Sequence, residues 1–197
     1  MNDKEVEMGE RTVQTVYFDK SGPANTERTL EIADSRARDL GIRTMIVATT
    51  EGDSGAKAVK RFKGLETVAV THSTGFKDPN LQRLTPENRA AIEGDGGKIL
   101  TCMHAFAGIN RAIRNKVETY QVDEIIAFAL RTLGQGFKVC LEIAVMAADA
   151  GLVKVGEPCV AIAGTGKGAD TAVVLTPVNV QNFFDIRIHE ILCKPYL

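Results

Sequence analysis

Short apolar runs typical of buried strands alternate along this chain with segments of helical periodicity. Strands are predicted at 13–18, 44–49, 67–71 and 98–101, and helices at 25–40, at 54–63 and from Pro86, with Thr85 as the N-cap of the last of these helices. A helix between two strands carries the chain back to the start of the sheet, so consecutive strands of this kind lie parallel. The alternation therefore predicts an α/β fold: a three-layer sandwich with a mostly parallel sheet.

The second half of the chain follows a different pattern. Residues 106–151 are predicted to form three helices, with breaks near Tyr120 and at 134–136. The third helix, 138–150, is apolar nearly all round and should be buried. The middle helix carries an apolar stripe, which comprises Val122, Ile125, Ile126, Ala129, Leu130 and Leu133.

The predicted strands 160–163 and 172–175 are too close in sequence for a crossover helix, so we expect an antiparallel C-terminal hairpin. A helical turn near 179–184 and a final strand at 186–192 follow. The length of 197 residues fits one domain, assigned to 13–197, after a flexible N-terminal arm over residues 1–12.

Composition limits the partners and the compartment. The net charge of -1 gives no electrostatic reason to expect nucleic acid or acidic lipid. No apolar stretch is long enough to cross a bilayer, and the charged start is unlike a signal peptide. The four cysteines lie far apart in the sequence, so we expect them to be reduced, buried thiols in a cytoplasmic protein. They are Cys102, Cys140, Cys159 and Cys193.

A glycine-rich turn, 49–55, follows the strand at 44–49 and opens the next helix. Glycine permits close approach of backbone N–H groups, and a helix N-terminus favours phosphate. The alternative is an ordinary strand-to-helix connection capped by Asp53 or Ser54. Because the residue after Gly55 is Ala56 and the turn joins a strand to a helix, the likeness of 52–55 to a serine-protease signature is misleading. The residues predicted to bind ligand here are Thr49, Thr50, Gly52, Asp53, Ser54 and Gly55.

A second glycine-rich turn joins the two strands of the predicted hairpin. The turn matches the glycine spacing of a dinucleotide-binding fingerprint, but it leads into a strand, whereas that fingerprint leads into a helix. It is not a Walker A loop, because Gly168 follows Lys167 where that motif has Ser or Thr. It is predicted to be a basic lip over a ligand, and a mobile hairpin tip is the alternative. Its residues are Gly164, Thr165, Gly166, Lys167, Gly168, Ala169, Asp170 and Thr171.

Two histidines follow neighbouring strands. Ligands of open α/β sheets bind beyond the carboxyl ends of the strands, so His72 and His104 are predicted to reach one pocket. Loop hydrogen bonding is the alternative for each. No third ligand stands at a zinc-site spacing from them, so no metal is predicted. The neighbours that would share the pocket are Ser73, Thr74, Gly75, Phe76 and Met103.

Three further sets of polar residues have predicted roles. Glu142 is the one carboxylate in the middle of the apolar third helix, so it should either meet a polar partner or face the ligand cavity. His189 lies in the last strand and is predicted to be structural. Arg111, Arg114 and Lys116 are predicted to form a solvated helix face.

The two turns carry a resemblance to a known family. Thr-Thr-x-Gly-x-Ser-Gly-Ala from Thr49 and Gly-x-Gly-x-Gly-Ala-Asp-Thr from Gly164 resemble the C-terminal α/β domain of pyruvate kinases, where both turns serve phosphorylated effectors. Stretches such as 16–18, 138–143 and 182–185 resemble the stand-alone archaeal-type relatives of that domain, whose physiological role is undefined. The resemblance runs from Val16 onward.

The resemblance implies a pyruvate kinase C-terminal-domain-like fold and an FMN site. It does not imply pyruvate kinase activity, because the catalytic barrel has no counterpart in this sequence. We therefore expect a protein that binds a phosphorylated small molecule, with FMN as cofactor. A flavin enzyme would draw its acid or base from His72, His104 or Glu142. A non-catalytic sensor of a sugar phosphate or nucleotide, and a homo-oligomeric scaffold, are the alternatives.

Overall fold

A computed structural model of the chain describes residues 10–196. The predicted N-terminal arm, 1–12, lies outside the described residues except for its last three positions. Within the described range, no helix combines the length and the hydrophobicity needed to cross a membrane.

Residues 10–196 contain seven strands and six α-helices. The strands are β1 Val16–Phe18, β2 Thr44–Ala48, β3 Glu66–Val70, β4 Lys98–Leu100, β5 Cys159–Ala163, β6 Thr171–Thr176 and β7 Arg187–Pro195. The helices are α1 Thr26–Asp39, α2 Asp53–Arg61, α3 Pro86–Gly94, α4 Gly108–Val117, α5 Val122–Arg131 and α6 Gln135–Asp149. Short 3₁₀ turns span Pro23–Asn25 and Val180–Asp185.

The strands form one sheet in the order β1-β7-β6-β5-β2-β3-β4. In the described sheet β6 is antiparallel to both of its neighbours, whereas every other pair is parallel. Ala163 pairs with Thr171 next to the loop that joins β5 to β6. The predicted fold class, a mostly parallel sheet with an antiparallel C-terminal hairpin, is confirmed.

Helices cover both faces of the sheet. One core lies beneath α1, α2 and α3, and contains the fully buried side chains of Leu30, Met45 and Ile92. The other lies beneath α6, around Phe137 and Leu141. As predicted, α6 is buried along nearly its whole length, because it packs against the centre of the sheet.

Local sequence signals set two of the helix starts. Thr85 caps α3 as predicted: its Oγ1 accepts a 3.2 Å hydrogen bond from the amide of Asn88, and Pro86 follows. Gln121 and Glu124 form a capping box at the start of α5. Such contacts satisfy amide groups that have no partner within the helix.

Helix α5 differs from the sequence pattern in what it buries. Val122 is 72% exposed and Ile125 58% exposed, although both belong to the predicted apolar stripe. The buried residues of α5 are Glu124 and Ala127. The helix packs on α6 rather than on the sheet, so only a narrow side of it is covered.

The junction between α6 and β6 is a sensitive point of the packing. A Cβ at Gly136 would lie 2.2 Å from Thr171 Oγ1, so we expect Gly136→Ala to lower the free energy of unfolding by about 1–3 kcal/mol. Gly94→Ala is the control, since a Cβ there meets nothing within 4 Å. Urea unfolding of both variants measures this. Equal stability of the two variants would contradict the packing described.

Candidate functional site

A cavity of about 570 Å³ opens at the carboxyl ends of β2, β3 and β5. The chain leaves β2 through α2 toward β3, and it leaves β5 in the opposite direction toward β6. Such a reversal of direction is where open α/β sheets bind ligands. The volume lies within the range of small-molecule pockets, roughly 300–1,000 Å³.

The first glycine-rich turn forms one wall of the cavity. Thr49, Thr50, Asp53 and Ser54 line it. Thr49 Oγ1 accepts a 3.3 Å hydrogen bond from the amide of Gly55, which fixes the turn. The first amides of α2 have no partner within the helix and carry its partial positive charge, so this wall suits an anion.

The glycines of that turn allow close packing of helices and do not line the cavity. Gly52 has a φ of +108°, and a Cβ there would lie 2.3 Å from Asn88 Cβ. A Cβ at Gly55 would lie 2.9 Å from Ile92 Cδ1. Both glycines therefore let α3 approach α2 on the side away from the cavity.

The second glycine-rich turn forms the opposite lip. Gly164, Gly166, Lys167 and Gly168 line the cavity. A Cβ at Gly168 would lie 2.4 Å from Pro23 Cα, so this turn packs closely against the start of the first 3₁₀ turn.

Asp170 is fully buried and anchors the second turn. Its carboxylate accepts hydrogen bonds from the amides of Gly22, at 3.0 Å, and Thr165, at 3.1 Å, and from the hydroxyl of Thr171, at 2.8 Å. The amide of Ala169 donates to Thr26 Oγ1 at 3.0 Å. Thr165, Ala169, Asp170 and Thr171 thus support the lip from outside the cavity lining.

Three rings form the wall beyond β3 and β4. Phe76 stacks on His104 at 4.9 Å between ring centroids, and it lies 4.3 Å from His72. The two imidazoles are 5.4 Å apart. All three line the cavity, so the structure brings the two histidines together at the end of the sheet where the sequence predicted them.

Both imidazoles are held in their neutral form. Burial lowers the pKa of His104 to about 4, and burial with the nearby Arg83 lowers the pKa of His72. The amide of Ser73 donates to His104 Nε2 at 3.2 Å, which places the His104 proton on Nδ1. Among residues 10–196, the buried Nδ1 of His72 has no hydrogen-bond partner.

The other loop residues predicted here lie outside the cavity lining. Thr74 Oγ1 accepts a hydrogen bond from Gln82, and the amide of Gly75 donates to Leu81 O. Met103 is 66% exposed. His189 on β7 forms a 2.8 Å hydrogen bond with the Thr176 hydroxyl on β6.

Glu142 fulfils both roles that the sequence left open. It lines the cavity, and its carboxylate accepts hydrogen bonds from Lys138 Nζ at 2.5 Å and from the amide of Phe106 at 3.2 Å. Both side chains are nearly buried. Burial lowers the pKa of Lys138, while the attraction of Glu142 opposes that shift.

Six lysine and arginine side chains line the cavity, against three carboxylates. The sequence singled out Lys167 alone for the site and assigned Arg111 to a solvated face. Arg111 does lie on an exposed helix, but it also lines the cavity with its guanidinium 5.0 Å from the Phe76 ring centroid. The cationic lining residues that the sequence did not assign to the site are Lys57, Arg83, Arg111, Arg131 and Lys138.

Most of these cations lie on helices that are far apart in the sequence, and the fold brings those helices together at the cavity. Lys57 stands one turn inside α2 and was within reach of sequence reasoning. Among the described residues, no three His, Cys, Asp or Glu side chains cluster in a way that could hold a metal ion.

The family follows from a match along most of the chain. The model of the pyruvate kinase alpha/beta domain matches residues 27–175, a range that contains the first turn, the ring wall, α6 and the second turn through Thr171. The chain belongs to the pyruvate kinase alpha/beta domain family.

Solved structures similar to the chain include two pyruvate kinase structures from Cryptosporidium parvum. One is 14% identical, with a TM-score of 0.41, over 78% of this chain and 23% of that chain. The other is 13% identical, with a TM-score of 0.40, over 81% and 24%. An NH3-dependent NAD synthetase from Campylobacter jejuni is 14% identical, with a TM-score of 0.35, over 69% and 54%. The chain thus spans about a quarter of the length of those pyruvate kinases.

The His104 environment makes stability depend on pH. In the unfolded chain the His104 imidazole becomes protonated near pH 6.5, whereas in the folded protein its pKa is about 4. Stability is therefore lost as pH falls from about 6.5 toward 4. We expect His104→Phe, which retains a ring against Phe76, to lose less stability between pH 7 and pH 5 than the wild type does in thermal unfolding. An NMR titration of the His104 imidazole with a midpoint near pH 6.5 would contradict this account.

Proposed function

We propose that this protein binds a phosphorylated small molecule at the carboxyl ends of its strands, and that FMN is that ligand. The observation that carries the proposal is the division of one cavity into two unlike walls. One wall presents a helix N-terminus and hydroxyl groups, and the other presents stacked rings. A mononucleotide with a phosphate at one end and a flat ring at the other matches this division.

The phosphate is assigned to the first turn. The Asp53 and Ser54 amides, which have no partner within α2, and the hydroxyls of Thr50 and Ser54 supply donors. Lys167 reaches the cavity from the opposite lip and adds a positive charge. Charge-assisted hydrogen bonds of this kind are about twice as strong as neutral ones.

The ring is assigned to the wall of His72, Phe76 and His104. Neutral imidazoles can both donate and accept hydrogen bonds, as the nitrogens and carbonyls of a flavin require. The unpartnered Nδ1 of His72 is a buried polar atom that bound ligand or water would satisfy. Apolar side chains that suit a flat ring complete this part of the lining, namely Ala48, Val70, Val139, Ile143 and Met146. When bound, FMN supplies electron-transfer chemistry, and these residues bind and orient it.

A second candidate is a non-catalytic sensor of a sugar phosphate or nucleotide. The pKa of about 4 at His104 favours it, because a general base works best when its pKa is near the working pH. A sensor needs the same phosphate wall but no acid or base.

Two measurements distinguish these ligands. The first is the absorbance spectrum of the protein purified without added ligand. The second is calorimetric titration with FMN, a sugar bisphosphate and a nucleotide. We expect FMN to bind with a stoichiometry of one. A colourless protein that releases no heat with FMN would refute the flavin assignment, and binding of the sugar bisphosphate alone would establish the sensor.

Variants locate the phosphate within the cavity. We expect Thr50→Glu to abolish FMN binding by placing a negative charge at the first turn, and Lys167→Gln to weaken it about tenfold. Lys60→Gln is the matched control, because Lys60 is exposed on α2 and lies outside the lining. Unchanged affinity in both cavity variants, with folding verified by circular dichroism, would show that the phosphate lies elsewhere.

A further inference from the structure

The cavity holds more positive charge than one phosphate needs. Arg83 pairs with Glu51, Lys57 with Glu27, and Lys138 with Glu142. Lys167 faces the first turn across the cavity and is assigned to the phosphate of the proposed ligand. Two lining cations remain after these assignments, and they are Arg111 and Arg131.

Both arginines are held in place by neutral groups. The Arg111 guanidinium lies against Phe76, 5.0 Å from the ring centroid. Arg131 donates from Nε to Gln135 Oε1 at 2.7 Å, and its guanidinium lies 5.3 Å from the Phe128 ring centroid. None of these contacts neutralises the positive charge of an arginine. The bond to Gln135 uses Nε of Arg131, so the terminal nitrogens of Arg131 take no part in it. Within residues 10–196, neither arginine has a carboxylate partner.

Two carboxylates of α5 and α6 are already paired with other cations. Glu142 is bound by Lys138, and Glu124 by Arg114. Arg131 and Arg111 both lower the pKa of Lys138, so each arginine lies close enough to Lys138 to repel its positive charge. A cluster of three cations around one carboxylate favours an additional anion.

We propose that Arg111 and Arg131 form a second anion-binding subsite, which takes the carboxylate or phosphate group of a second small molecule bound beside the proposed flavin. The proposal rests on the function proposed above, since the phosphate of the first ligand occupies the first turn. Arginine suits the subsite because its planar fork of N–H donors matches the oxygen pairs of carboxylate and phosphate. Gln135 fixes the fork of Arg131 at the start of α6, where the free amides of the first turn also favour an anion.

Oxalate and inorganic phosphate serve as probes of the subsite. Each is titrated calorimetrically into FMN-saturated protein, in which the first turn is occupied. We expect one further anion to bind without displacing FMN, and the tighter of the two probes identifies the group that the subsite prefers. Displacement of FMN by either anion in a one-to-one exchange, or the absence of any anion binding, would overturn the proposal.

Substitutions test which residues form the subsite. Arg131→Gln should weaken binding of the preferred anion at least tenfold and change FMN affinity less than threefold, and Arg111→Gln should also weaken anion binding. Arg89→Gln is the control for loss of one positive charge, because Arg89 pairs with Glu93 on α3 and lies outside the lining. Loss of FMN binding in Arg131→Gln with no effect on the anion would assign this arginine to the first ligand and overturn the proposal.

The same titrations on Thr50→Glu separate this proposal from the flavin assignment. That variant closes the first turn and leaves both arginines in place. Anion binding that persists in Thr50→Glu and is lost in Arg131→Gln supports the second subsite even if FMN does not bind. Anion binding lost in Thr50→Glu but retained in Arg131→Gln places the anion at the first turn and overturns the second subsite.

Discussion

The parallel pairing of β2 with β5 creates the site on which the rest of the account depends. Met45 pairs with Val160 and Val47 with Ile162, so two strands more than a hundred residues apart end side by side. The turns that follow them leave in opposite directions and open a crevice between them. Without this pairing, the two glycine-rich turns would not face one cavity.

The helices make that crevice electropositive. α1, α2 and α6 all begin at the end of the sheet where the cavity lies, since Thr26, Ser54 and Gln135 line it. Their aligned peptide dipoles place partial positive charge at the same edge. The buried pair of Lys138 and Glu142 joins α6 to the start of the α4 segment through the amide of Phe106. Removing either partner would leave an uncompensated buried charge, which is strongly destabilising.

Much of the fold could be predicted because each strand and helix has a local signal. The strand runs, the cap at Thr85 and the breaks around α5 all fall within a few residues of their predicted positions. The order of the strands could not be predicted from such signals. The parallel pairing of β1 with β7 joins opposite ends of the chain, and local periodicity contains no information on it.

The candidate site, like the fold, could be predicted from the sequence only in part. His72 and His104 each follow a strand closely, so parallel neighbours bring them together. Arg111 and Arg131 lie on α4 and α5. The position of α5 depends on packing against α6, and a side-chain hydrogen bond between Asn110 and Asp123 links α4 to α5. Gly52 and Gly55 were expected to admit a ligand, yet their missing side chains make room for α3. A glycine in a turn shows that space is needed but not on which side.

The central claim is that one phosphorylated ligand spans the two walls of this cavity, and a crystal structure of the protein grown with FMN tests it most directly. The account predicts the phosphate within hydrogen-bond distance of the Asp53 and Ser54 amides, and the ring against Phe76 and His104. A phosphate bound outside the 49–55 turn, or a ring outside the wall of His72, Phe76 and His104, would contradict the account.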